Sequence, residues 1–159
     1  MKFSAQEEYG LRCLLAIAKS PNGYATIPEI SRRANLSESH VAKLLMVLRK
    51  GGFVDSTRGH AGGYSLSKTA NETKVGDILA LLGGRLYDGE YCGKHAGLGD
   101  SCVHGSGCAI SSLWNTVQEA VDGVIYNVTL GCLIDPKPPT VRIRPAMPES
   151  VRKKVRAQA

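Results

Sequence analysis

Three of the chain's five cysteines lie within one glycine-rich segment, and they are the residues best suited to metal chemistry. Cys92, Cys102 and Cys108 follow the spacing C-x9-C-x5-C, unlike the tight C-x2-C pairs of common zinc ribbons. A small glycine-rich loop can wrap a polynuclear centre, because its amides can donate to inorganic sulfur without side-chain clashes. Three thiolates leave one coordination position. His95 and His104 are the local candidates for it, and a carboxylate from elsewhere is the distant one.

Composition restricts where such chemistry would take place. The 159 residues, 43% of them hydrophobic, suffice for one domain with a sizeable core. The sequence has no apolar run of membrane-spanning length and no apolar signal segment, so we expect a cytoplasmic protein with no membrane partner. In a reducing compartment, five cysteines favour metal or redox chemistry over disulfides. We expect the two cysteines outside the loop, Cys13 and Cys132, to be buried apolar residues.

Charge is unevenly distributed along the chain. The formal net charge is +6, and residues 137–159 alone hold seven Lys/Arg against one Glu. Residues 26–70 hold seven Lys/Arg against three acids, whereas residues 71–136 hold three against eight. Binding to DNA phosphates requires clustered cations, so the local concentration in residues 26–70 favours a nucleic-acid partner.

The elements that would place these cations begin with helix-capping signals. Ser4 with Glu7, and Thr26 with Glu29, have the spacing of capping boxes, and Ser37 is a third candidate N-cap. Apolar residues recur at helical spacing after the first and third of these starts, predicting one helix face in each case. The sets are Leu11, Leu14, Leu15 and Ala18, and then Val41, Leu44, Leu45 and Leu48. A short helix from Thr26 to about Ala34, a three-residue turn and a longer helix ending at Gly51-Gly52 predict a helix-turn-helix.

A glycine-rich hairpin follows the helix-turn-helix. Phe53-Val54 and Tyr64-Ser65-Leu66 are predicted as its strands, which makes it a wing. Another amphipathic helix is expected at residues 75–82, before the cysteine loop.

After Cys108 the apolar spacing alternates between four and three residues. Ile110, Trp114, Val117, Val121, Val124 and Val128 form this stripe. A 3.5-residue repeat is typical of a seam between helices, so we predict a long dimerisation helix, with packing inside one chain as the alternative. The segment "DPKPP" ends regular structure, and the basic tail after it is predicted to be disordered.

The predicted second helix of the helix-turn-helix would enter the major groove by its N-terminal turns. Ser39 and His40 would reach base edges or phosphates there. Lys43, Arg49 and Lys50 have long side chains that are better suited to contacts with the phosphate backbone. Arg58 and His60, at the wing tip, could contact a phosphate or enter the minor groove. The candidate DNA-binding residues are Ser39, His40, Lys43, Arg49, Lys50, Arg58 and His60. No motif for nucleotide binding, zinc proteolysis or covalent haem is present, so we expect neither an enzyme nor a small-molecule substrate.

This order of elements, with "RGHAGGYSLSK" in the wing and "NVTLGCLID" late in the chain, resembles the IscR/NsrR-type winged-helix regulators over about residues 1–135. The resemblance implies that the three loop cysteines bind an iron–sulfur cluster whose state controls DNA affinity. Members of the NsrR kind take a fourth ligand from an acidic residue early in helix one of the partner subunit, and the matching position here is Glu8. Members of the IscR kind use a histidine three residues after the last cysteine, where this chain has Ser111.

The expected architecture is mostly α with a small β wing. It comprises a winged helix-turn-helix domain (1–84), a cysteine-rich cluster-binding loop (85–108), a dimerisation helix (109–135) and a basic tail (136–159). We expect a homodimeric repressor on a palindromic double-stranded operator. Each subunit would carry one [4Fe–4S] or [2Fe–2S] cluster that senses redox state, nitric oxide or iron status, with Cys92, Cys102, Cys108 and Glu8 as ligands. The alternatives are a cluster-free or zinc-binding thiol sensor and a metal-stabilised protein-interaction module.

Overall fold

The structure, a computed structural model, describes residues 3–57, 59, 62–87, 90–96 and 108–134. Within these residues, seven helices surround a small antiparallel sheet. The elements are α1 (Ala5–Ala18), β1 (Tyr24–Ala25), α2 (Ile27–Ala34), α3 (Glu38–Lys50), β2 (Val54–Thr57), β3 (Gly63–Leu66), α4 (Val75–Leu82), α5 (Tyr91–Lys94), α6 (Ala109–Ile125) and α7 (Leu130–Ile134).

The three predicted N-caps start α1, α2 and α3. At α1, the Glu7 amide donates to the Ser4 hydroxyl at 3.3 Å, and the Ser4 amide donates to the Glu7 carboxylate at 2.7 Å. Thr26 forms the same capping box at α2, and Ser37 accepts from the third amide of α3. Since an N-cap contributes about 1 kcal/mol, these local bonds fix where each helix begins.

The helix-turn-helix is confirmed, and its turn has a definite backbone conformation. Asn35 caps α2 in the left-handed region at φ 55, a conformation that asparagine tolerates better than most residues. The predicted inward stripe of α3 is buried throughout, from Val41 to Leu48.

The predicted face of α1 is only partly right. Leu14 is fully buried as expected, but Leu11, Leu15 and Ala18 are half-buried. The other buried residues of α1 are Gly10, Cys13, Ala16 and Ile17. Helix α1 contacts α2, α3, α4, α7 and the sheet, so more than one side of it is covered. A helix surrounded in this way has a buried surface wider than a single stripe.

The wing hairpin is confirmed, with an additional strand. Strand β3 pairs antiparallel with β2, as predicted, and on its other edge with β1, which the sequence analysis missed. The first wing strand begins at Val54 rather than Phe53. Gly52, at φ 74, makes the turn from α3 into this strand.

Helix α4 begins and ends where predicted and packs against α1. The side-chain amide of Gln6 donates to the Leu82 carbonyl at 2.8 Å. Gly10 is buried at this contact, and a methyl group added there would overlap the Leu82 side chain. A side chain at this position would therefore require the Leu82 side chain to move.

The prediction of an unbroken helix over residues 109–135 is wrong, because α6 ends at Ile125 and α7 begins at Leu130. The segment between them is held to the start of α4: the Val75 amide donates to the Val128 carbonyl at 3.0 Å, and the Leu130 amide to the Thr73 carbonyl at 2.8 Å. Val128, expected in the interhelical seam, is instead buried with Val75 and Leu79. These contacts require the chain to leave the axis of α6.

No helix in the described ranges combines the length and the apolar character needed to cross a membrane.

Candidate DNA interface and cysteine site

The exposed side of the first turns of α3 forms the candidate DNA-contacting surface. Ser39, His40 and Lys43 are all exposed there, while the apolar stripe of the same helix faces the core. Together with Gln6 and Ser37, they line an open groove of about 290 Å³. Short polar groups and a cation on a helix supported from behind by a packed core are suited to contact a duplex.

His40 is held by α1. Its ring makes an edge-to-face contact with the Tyr9 ring, with centroids 5.4 Å apart and planes at 80°. Tyr9 was not singled out in the sequence, although its position one residue after Glu8 places it on the helix that the resemblance connects to the cluster. The orientation of His40 therefore depends on α1.

The two cations at the end of α3 are also exposed, as predicted. The Arg49 guanidinium donates to the Ser56 hydroxyl at 3.2 Å, which connects the end of α3 to the first wing strand. Lys50 follows it in the last turn. The wing-tip candidates, Arg58 and His60, lie outside the described residues.

Two of the three loop cysteines lie at the ends of the loop. Cys92 is on the short helix α5, and Cys108 is the N-cap residue of α6, where its side chain makes no capping hydrogen bond. Both are half-buried and neither forms a disulfide. Cys102 and His104 lie outside the described residues, as does the basic tail.

Tyr87 lies beside one of the described thiols, that of Cys92. Its hydroxyl oxygen lies 3.5 Å from the Cys92 sulfur. The hydrogen bond to Cys92 raises the pKa of the Tyr87 phenol, and the charge of Cys108 acts in the same direction, while a hydrogen bond with Ser111 opposes them. The sequence analysis did not single out Tyr87, although the i, i+4, i+8 spacing of Tyr87, Tyr91 and His95 was a usable signal.

A polar network fixes the segment that carries Tyr87 to α6. The Tyr87 amide donates to the Gln118 side-chain oxygen at 2.9 Å, and the Gln118 amide group donates to Asp122 at 2.8 Å. Asp122 forms an ion pair with Arg85. Gln118 is 4% exposed, and it is the one buried residue in α6.

His95, a local candidate for the fourth ligand, contacts Tyr91, whose ring lies against that of Tyr87. Its ring stacks on Tyr91, with centroids 4.1 Å apart, and its Nδ1 lies 2.9 Å from the Tyr91 carbonyl oxygen. Since Nδ1 is engaged by that carbonyl, ligation by His95 would use Nε2.

Glu8 is exposed, and its carboxylate pairs with Arg12 one turn later. The Glu8 oxygen lies 2.8 and 2.9 Å from two guanidinium nitrogens. The same guanidinium lies over the Tyr9 ring, 5.5 Å from its centroid. Across the described part of the chain, no three His, Cys, Asp or Glu residues are grouped so that they could hold a metal ion. Glu8 therefore does not complete a site with Cys92 and Cys108 within one chain.

The remaining two cysteines differ from each other. Cys13 is fully buried as expected, and burial raises the pKa of its thiol to about 11. The expectation that Cys132 is buried is wrong, because α7 leaves it exposed beside Thr129. The hydrogen bond from the Thr129 hydroxyl lowers the pKa of the Cys132 thiol.

Comparison with known proteins agrees with this geometry. The family model described as Rrf2, iron-dependent transcriptional regulator, matches residues 3–136. The chain belongs to the Rrf2 family. The resemblance inferred from the sequence is therefore confirmed.

Individual relatives are transcriptional regulators. The regulator IscR of Klebsiella pneumoniae is 32% identical over 136 residues, which cover 85% of this chain and 80% of that protein. Among solved structures, CymR, the global cysteine regulator of B. subtilis, matches with a TM-score of 0.69 at 28% identity, covering 87% of this chain and 99% of that one. IscR of T. potens matches with a TM-score of 0.65 at 29% identity, covering 84% and 86%.

This Rrf2 protein is a DNA-binding transcriptional regulator with a winged-helix fold. Its relatives are regulators rather than enzymes, as the sequence predicted.

Proposed function

We propose that this protein is a homodimeric repressor whose affinity for a palindromic operator is controlled by one iron–sulfur cluster per subunit. The ligands would be Cys92, Cys102, Cys108 and the partner's Glu8. The observation that carries the proposal is the pair of half-buried, disulfide-free thiols, Cys92 and Cys108, at the two ends of the glycine-rich stretch. Both are soft sulfur donors.

The residues present fit such a cluster. Both described cysteines are half-buried and free of disulfides, and Cys108 lies at the start of α6. The loop between them is rich in glycine, whose amides can donate to sulfide. When bound, the cluster would supply a centre whose charge and integrity respond to oxidants, nitric oxide or iron supply.

A second copy of the chain would supply the missing carboxylate and cover α6. Ile110 and Leu113 are each 55% exposed and Trp114 is 40% exposed, so one side of α6 presents large apolar groups. Packing this side against its counterpart would remove apolar surface from water. It would also allow α1 of one subunit to approach the cysteine loop of the other.

Contacts along α1 connect the proposed ligand with the recognition helix. The Glu8 carboxylate holds Arg12, Arg12 lies over Tyr9, and the Tyr9 ring contacts His40. Ligation would withdraw the carboxylate from Arg12 and so alter the support of His40. In a twofold dimer whose half-sites lie one helical turn apart, a small change at both recognition helices changes affinity strongly.

The test begins with anaerobic purification and measurement of iron, sulfide and visible absorption per subunit. Operator DNA selected from a random pool is then bound to holo and apo protein over a range of salt concentrations. We expect near-stoichiometric iron and sulfide, and different affinities for the two forms. A colourless protein that contains zinc or no metal would favour a thiol sensor. Absence of salt-dependent DNA binding would favour a protein-interaction module.

The fourth ligand is tested by Glu8→Gln, with Glu119→Gln as a control for loss of an exposed carboxylate. We expect Glu8→Gln to speed cluster loss to a chelator and to reduce the difference in affinity between holo and apo protein. A Glu8→Gln protein that matches the control in both respects would remove Glu8 from the ligand set and leave the histidines.

A further inference from the structure

In the hydrogen bond between Tyr87 and Cys92, only Tyr87 can be the donor once the thiol binds metal. At 3.5 Å, the Tyr87 oxygen and the Cys92 sulfur are within hydrogen-bonding distance for sulfur, and in the free protein either atom can be the donor. A metal-bound thiolate carries no proton. In the loaded protein the phenol must therefore donate and the sulfur must accept.

The backbone of Tyr87 is hydrogen-bonded to α6, which fixes the position of the residue. The amide of Tyr87 is bonded to the buried Gln118, which is bonded in turn to Asp122. Asp122 also pairs with Arg85, two residues before Tyr87. The segment thus has two attachments to α6, the helix that Cys108 starts.

The ring is held as well. It lies 5.3 Å from the Tyr91 ring at an angle of 53°, and together with Leu86, Trp114 and Val117 the two tyrosines line an apolar groove. Backbone and ring contacts on separate sides restrict the hydroxyl to the vicinity of the sulfur. Such support is typical of groups that orient metal ligands from outside the coordination sphere.

We propose that Tyr87 is a positioning residue that donates a hydrogen bond to the Cys92 thiolate and thereby tunes the metal centre. This inference rests on the proposed function for the identity of the centre. A hydrogen bond to a ligand sulfur withdraws electron density from it, which stabilises the reduced form of an iron–sulfur cluster and raises its reduction potential. The bond also orients the ligand and so increases metal affinity.

The test compares Tyr87→Phe, which removes only the hydroxyl, with the control Tyr91→Phe in the neighbouring ring. The first arm uses metal-free protein and Co²⁺ as the probe, followed anaerobically by the thiolate-to-cobalt charge-transfer absorption. In Tyr87→Phe we expect this band to move to longer wavelength, because the sulfur electrons are less stabilised. We also expect about tenfold weaker Co²⁺ binding, the lower end of the effect of such outer groups. Tyr91→Phe should match the wild type.

The second arm measures the reduction potential of the reconstituted cluster by spectroelectrochemistry. We expect a more negative potential for Tyr87→Phe and no change for Tyr91→Phe. A packing role alone would leave the band and the potential of Tyr87→Phe unaltered, since the ring is retained.

The outcomes separate this inference from the proposed function. Wild-type protein that binds Co²⁺ but assembles no cluster would end the cluster proposal, while a shifted cobalt band in Tyr87→Phe would still support the hydrogen bond. An unshifted band and unchanged Co²⁺ affinity in Tyr87→Phe would overturn the inference, whatever cluster is present. Failure of the wild type to bind Co²⁺ would overturn both.

Discussion

The helix-turn-helix and helix α6 are stabilised in opposite ways. Helices α1, α2 and α3 bury a continuous set of apolar side chains, several of them with no exposed surface. Helix α6 has 17 residues but buries only Gln118, a polar group, while Ile110, Leu113 and Trp114 are exposed. The apolar side chains of the first region are thus covered within the chain, whereas α6 leaves large apolar side chains exposed.

The largest expected effect is the loss of bound iron and sulfide when a loop cysteine is replaced. This effect should be confined to the second region, which comprises α6 and the cysteine loop that precedes it. Cys108→Ala should remove essentially all iron and sulfide from anaerobically purified protein, because a cluster ligand is lost, while the circular dichroism of the helices is retained. Cys132→Ala, which removes an exposed cysteine from α7, is the matched control and should retain both iron and sulfide. Equal iron in the two variants would contradict the ligand assignment.

Truncation of a core side chain should destabilise the first region, the helix-turn-helix. Leu45 is fully buried in α3, so Leu45→Ala should lower the free energy of unfolding by about 2–5 kcal/mol, through lost burial and the cavity that remains. Urea unfolding measures this change. Met46→Ala, at the next position and 49% exposed, should change it by less than about 0.5 kcal/mol. Similar losses in the two variants would contradict the burial pattern.

A charge on the exposed side of α6 should affect assembly rather than folding. Leu113→Asp should weaken self-association about 10- to 100-fold, the equivalent of about 1.5–3 kcal/mol for one large apolar side chain. Sedimentation equilibrium measures the dimer constant, and Met46→Asp controls for a charge placed on an exposed apolar position elsewhere. Unchanged association of Leu113→Asp would mean that this side of α6 is not the dimer surface.

The smallest expected effect concerns the caps of the first region and depends on pH. Bonds from the Thr26 amide and then the Thr26 hydroxyl lower the pKa of Glu29. A depressed folded-state pKa contributes stability above the unfolded value, about 4.3, and this contribution is lost as the pH falls through the folded value. Wild-type stability should therefore fall more between pH 7 and pH 3 than that of Glu29→Gln. Urea unfolding at both pH values tests this, with Glu38→Gln in the first turn of α3 as the control.

The sequence predicted the first region well because its determinants are local. A cap and its third amide lie within four residues, and the stripe of α3 repeats within a single helix, so both can be recognised without the fold. Strand β1 escaped prediction because two residues carry no periodicity. It exists because β3 offers a free edge.

The second region was predicted less well because its determinants are distant in sequence. The apolar spacing continued to Val128, but the end of α6 is set by hydrogen bonds to Thr73 and Val75, more than fifty residues earlier. The role of Gln118 depends likewise on a bond to Tyr87, 31 residues away. The cysteines themselves were identifiable from residue type alone. The four-residue spacing of Tyr87, Tyr91 and His95 was a weaker signal, because tyrosine is also a common packing residue.

Gly10 gives the two regions a shared point of vulnerability. Helix α4 leads to the segment that carries Cys92, and its Leu82 side chain occupies the place that a methyl group on residue 10 of α1 would take. An added carbon at residue 10 would force the Leu82 side chain to move and would disturb the contact between α1 and α4, without altering any proposed ligand or DNA-contacting residue. Under the proposed function, a substitution at this position should weaken the coupling between the cysteine site and the recognition helix.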